Sequence, residues 1–125
     1  MRRKKVPDHP YNTDIIFLCG TRDEMNRYLR RQSGDPKEEF ISLGTYGHYT
    51  HFEPKDAREL HQHYVCVNTD LCKTAADRRT VMAHELVHCV FRIFDYKGVP
   101  TKADNDESFA YFFEWLFKHG QKVVA

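Results

Sequence analysis

At 125 residues, with 19 Lys and Arg against 18 Asp and Glu and a net charge of +1, the chain has the size of one domain and no charge excess of the kind nucleic-acid binders carry. Charged residues make up 30% and hydrophobic ones 41%, an ordinary globular balance, and no stretch is long and apolar enough to span a membrane. The basic start, Arg2-Arg3-Lys4-Lys5, runs into Val6-Pro7-Asp8-His9-Pro10 rather than an apolar segment, so it does not read as a signal peptide. With no secreted context, Cys19, Cys66, Cys72 and Cys89 are expected to be reduced thiols in a cytoplasmic protein.

In chain order, residues 1–13 are polar and Pro-rich and read as a flexible basic arm, leaving 14–125 as a single domain. Residues 14–19 (DIIFLC) form a short apolar run that reads as a buried strand. Thr21-Arg22-Asp23-Glu24 is a capping-box pattern opening a helix to about Gln32, which Ser33-Gly34-Asp35-Pro36 ends. Residues 40–52 have strand composition with glycines inside, and 63–68 read as another strand. A long helix follows over 75–95, apolar around much of its girth and stopped by Gly98 and Pro100. A last helix opens near Asp104 and runs to about Lys118, with Gly120 beyond it; its aromatic load predicts packing on most sides. The resulting class is α+β, in the order β-α-β-β-α-α.

The long helix contains His84-Glu85-Leu86-Val87-His88. Residues four apart share a helix face, so His84 and His88 can direct two imidazoles at one ion. Glu85, about 100° around the axis, can reach a water on that ion. Two His ligands with a carboxylate base are the parts of a zinc hydrolase. With eight His and eight Glu in the chain, about 0.03 such matches are expected by chance. A surface helix with solvated side chains is the plainer alternative.

Catalytic zinc takes three protein ligands and keeps one position for water. Glu107, at the start of the last helix, is the candidate third ligand, with Asp104, Asp106 and Glu114 as substitutes. Glu107, Tyr111 and Glu114 form a polar stripe expected to face the metal. Asp104-x-x-Glu107 is also a capping-box pattern, which would give Glu107 a purely local role.

The motif, a spacer, and then Asp106-Glu107-Ser108-Phe109-Ala110-Tyr111 resemble small gluzincin-type metallopeptidases, with the closest likeness to the compact ones encoded by tailed bacteriophages. Leu18-Cys19-Gly20 and Arg22-Asp23-Glu24-Met25-Asn26 are similar as well, although the specific part covers residues 81–116. The resemblance implies a minimal zincin-like domain: a small sheet packed on the active-site helix and a C-terminal backing helix. It also implies one Zn²⁺ held by His84, His88 and Glu107, and a host-cytoplasmic location for a phage-encoded protein. The implied reaction is hydrolysis of a peptide or amide bond, with Glu85 as general base. Tyr111 and the strand histidines His48, His51, His61 and His63 are candidate oxyanion donors, each with a bland reading as a core tyrosine or a solvated histidine. The expected partner is a peptide or protein substrate, with neither nucleic acid nor membrane, and the protein itself is expected to be a monomer rather than an oligomer; a strand near the site could bind the substrate backbone by edge pairing.

Two other classes compete. Cys66-x5-Cys72-x11-His84-x3-His88 approaches a structural zinc finger, although its cysteine spacing is too long. A zincin-fold protein could also act by contact alone, as a binding or inhibitory factor that leaves Glu85 unused.

Overall fold

The computed structural model describes residues 1–8 and 10–125. It is an α+β domain in which one four-stranded mixed sheet carries helices on both faces. The strands are β1 (Arg2–Asp8), β2 (Thr13–Gly20), β3 (Gly47–Phe52) and β4 (His61–Asn68); the helices are α1 (Arg22–Ser33), α2 (Ala75–Tyr96) and α3 (Asp106–Val124). The sheet order is β1-β2-β4-β3, with β2 and β4 parallel and both outer strands antiparallel to their neighbours.

Side-chain alternation sorts the two cores. Ile15, Phe17 and Cys19 of β2 join Val65 and Val67 of β4 against α2 and α3. Ile16 and Leu18 join Tyr64 and Cys66 against Met25 and Leu29 of α1. β2, buried at all eight positions, is therefore apolar on both faces, as its unbroken hydrophobic run requires.

The expected arm is a strand instead. β1 pairs with β2 from Arg2↔Cys19 to Asp8↔Thr13, and residue 9 lies outside the described residues. An edge strand tolerates a charged face, so basic residues do not mark a tail here. Lys5 reaches Asp14 at 3.2 Å, and Arg3 lies over the Tyr28 ring at 4.9 Å.

α1 forms as expected: Thr21 and Glu24 make the full capping box, and Gly34 closes the helix at φ +78°. Residues 40–46 do not form a strand despite their composition, and β3 begins only at Gly47. Side-chain amides hold that loop in place of a ladder: Asn26 exchanges two hydrogen bonds with Ile41, and Asn68 donates to the Thr45 carbonyl. α3 continues past Gly120 to Val124. Gly120 is an approach point rather than a stop, because a Cβ there would stand 2.5 Å from Phe17 and 2.7 Å from the Met82 sulfur. No described helix is long and apolar enough to cross a membrane.

Candidate metal centre

α2 is a 22-residue helix opened by Thr74, whose hydroxyl accepts from the Asp77 amide at 3.1 Å. Met82, Leu86, Cys89, Val90, Ile93 and Phe94 turn to the sheet and to α3. His84 and His88 lie on the opposite, exposed side, so the helix is less enclosed than its composition suggests. Glu85 sits at the boundary, 8% exposed.

The ligand atoms of His84, Glu85 and His88 all lie within 4.8 Å of one another. The two Nε2 atoms are 3.3 Å apart. Two nitrogens bound to a tetrahedral zinc at about 2.0–2.1 Å would stand roughly 3.4 Å apart, so the spacing of this pair matches that of two such ligands. The nearer Glu85 oxygen is 3.9 Å from His84 Nε2. Burial pushes the Glu85 carboxyl above its ordinary value, and the two imidazoles partly offset this.

Gly47 brings the sheet up to this helix. A Cβ there would stand 2.4 Å from Val81 and 2.9 Å from the Glu85 Cγ, so only glycine lets β3 come this close. The sequence marks Gly47 as unusual within a strand but does not name what approaches it. A cleft of about 740 Å³ runs from Gly47, Glu85 and His88 along α2 past Phe91 and Arg92 to Pro100. Tyr49 and His48 also line it.

The remaining sequence candidates are scattered. Glu107 is exposed in the first turn of α3 and is not part of the gathered trio. That turn is nevertheless set beside the turn after His88, because Phe109 packs on Phe91 at 4.9 Å and on Phe94 at 5.8 Å. The capping role considered for Glu107 is not made either: α3 starts at Asp106, and Asn105 caps it without a side-chain bond. Asp104 belongs to a single 3-10 turn before the helix.

Tyr111 lies away from this cleft. It is 67% exposed and lines a separate groove with Pro7, Pro10, Tyr11, Phe112 and Trp115. The stripe of Glu107, Tyr111 and Glu114 faces solvent, because α3 turns Phe112, Leu116, Gly120 and Val123 inward. Of the strand histidines, His48 lines the cleft, whereas His61 and His63 are buried elsewhere rather than solvated.

The finger-like arrangement does not form. Cys66 packs on the α1 side of the sheet and Cys72 on the α2 side. All four cysteines are free and buried. Burial raises the Cys66, Cys72 and Cys89 thiols, which disfavours the thiolate a metal needs. Comparison with protein-family models, with curated proteins and with solved structures finds no match to this chain.

Proposed function

We propose that the protein is a zinc-dependent hydrolase of peptide or amide bonds. The observation that carries this reading is the convergence of His84, Glu85 and His88, of which Glu85 and His88 line an open cleft. His84 and His88 would hold the ion, with Glu107 swinging in from the neighbouring turn as third ligand. A zinc ion held there would supply Lewis acidity and an acidified water. Glu85 would act as the general base toward that water and as the proton donor to the leaving amine. Its partial burial suits a carboxylate to this exchange. β3 is the outer strand beside the cleft, and its free edge can pair with an extended substrate backbone.

Elemental analysis and a randomised peptide library test this reading. Zinc should be present in wild type and in Glu85→Gln, and reduced in His84→Ala and Glu107→Gln. Cleavage should occur in wild type and vanish in Glu85→Gln. Full activity of Glu85→Gln would remove Glu85 as the base, and unchanged zinc in Glu107→Gln would assign the third position to another residue.

The exposed apolar groove at Tyr111 and Trp115 favours a second reading, a factor acting by contact. Such a factor keeps its biological effect in Glu85→Gln.

A further inference from the structure

A second concentration of ligand-type side chains lies at the end of the sheet beneath the last turns of α2. His61 and His63 are two apart on β4 and share one face. His51 of β3 is the cross-strand partner of His63, and Thr13 of β2 is the partner of His61. The His61 and His63 ring centroids are 4.3 Å apart, and those of His51 and His63 are 5.7 Å apart. Tyr96 closes the cluster edge-on, 4.4 Å from His61.

Thr13, His61 and His63 are 0%, 4% and 0% exposed. Each carries a buried polar atom with no hydrogen-bond partner: Thr13 Oγ1, His61 Nδ1 and His63 Nε2. Among the described residues no other buried side-chain nitrogen or oxygen is left so. Native folds rarely leave such an atom unpaired, and of the three His63 Nε2 is the one on the His51–His61 face free to ligate.

We propose that His51, His61 and His63 form a second metal site, separate from the α2 pair, which takes one divalent transition-metal ion of the zinc, cobalt or nickel type. Imidazole nitrogen is the donor such ions prefer. Calcium and magnesium want oxygen ligands, and Glu53 beside the cluster is already engaged by the Tyr96 hydroxyl at 3.0 Å. The Tyr49 hydroxyl holds His63 Nδ1 at 2.6 Å, which leaves Nε2 as the donor and fixes the ring as an outer partner does for a metal-bound histidine.

His51 Nδ1 and His61 Nε2 face each other at 2.8 Å. On a tetrahedral ion they would be roughly 3.4 Å apart, so the ion replaces their shared hydrogen with a widening of roughly 0.6 Å. The ring that carried the hydrogen moves it to its other nitrogen, and no proton is released. The three rings do not converge within 4.8 Å as the α2 trio does, so loading also turns the ring of His51, the least buried of the three, while Tyr49 keeps His63 in place. Burial keeps all three imidazoles neutral near pH 7, the form that ligates.

The test uses the full chain carrying His84→Ala and His88→Ala, titrated with Co²⁺ at neutral pH and read by visible absorption and elemental analysis. One cobalt per chain is expected, with the strong absorption of a tetrahedral site. Adding His61→Gln, or separately the less buried His51→Asn, should weaken binding at least about tenfold. Zn²⁺ should raise Tm in the His84→Ala/His88→Ala chain but not in these two further variants. Circular dichroism selects the variants that fold, and two substitutions keep the test decisive if one does not. Absence of cobalt from the His84→Ala/His88→Ala chain overturns the proposal. Undiminished binding in either folded variant overturns it too, by placing the ion elsewhere. The outcome is independent of hydrolysis, which can fail while this site stands.

Discussion

Acid should destabilise this fold through its buried histidines. Burial, with His61 and His51 adding to it, holds His63 down to about 3, while an unfolded histidine titrates near 6.5. Below pH 6.5 the unfolded chain therefore binds the proton that the folded chain refuses. The stability contributed by neutral His63 is complete above about pH 7.5 and declines as pH falls through 6.5 toward 3. Between pH 7.5 and 5.5 the loss from this residue alone is about 1.4 kcal/mol, which is linkage to one proton across a window centred on its unfolded pKa. His61 and His51 are lowered in the same direction by burial and add to it. The charges of Lys97, just past the end of α2, and of Arg92 on α2 oppose protonation of His63, and Glu53 favours it at His51 and His61. Urea denaturation at the two pH values, with a chelator present, measures this. The difference between wild type and His63→Phe isolates His63: the variant should be less stable at pH 7.5 yet lose about 1.4 kcal/mol less on acidification. Equal acid losses in the two chains, or a wild type more stable at pH 5.5, would refute the reasoning.

On the proposed hydrolase reading, Gly47→Ala should leave zinc content intact but cut turnover strongly, because the new methyl would push Glu85 out of place; unchanged turnover would mean that β3 does not position this carboxylate. Gly120→Ala should cost about 1–3 kcal/mol by overpacking Phe17 and Met82, and a neutral effect in urea melts would show that α3 shifts freely on the sheet. Tyr111→Phe should change neither zinc affinity nor turnover, and a loss of either would bring Tyr111 back to the site. Thr21→Ala should cost about 1 kcal/mol of stability, read by thermal melts, because it removes the hydroxyl that caps α1.

The parts of this molecule legible in sequence are those whose cause is local. The α1 capping box is four consecutive residues, and the His84–Glu85–His88 placement follows from helix period alone. The burial of β2 is written in its apolar run. What escaped reading depends on distant partners. β1 looks like a tail because its charges, typical of an edge, outweigh its pairing to β2, which only the fold supplies. Residues 40–46 have strand composition, but Asn26 and Asn68, remote in sequence, take over their backbone groups. Gly120 resembles a helix stop because its neighbour Phe17 lies a hundred residues upstream. Tyr111 and Glu107 share a stripe as expected, yet the side it faces is decided by which aromatic residues α3 buries. His61 and His63 of β4 have the spacing of residues that share one strand face, and nothing local tells that both are enclosed.

The placement of the cleft at the sheet's margin also decides which part of the molecule can move. β2 is hydrogen-bonded on both sides, by β1 and β4, so its amides exchange with solvent only when the whole domain opens. β3 has one neighbour and no fully buried residue, so it can detach while that spine stays intact. Of the two outer strands, the one that supplies Gly47 and Tyr49 to the cleft is thus the more weakly held. Widening of the cleft by movement of β3 is expected to be a local event, with a free-energy cost below that of unfolding.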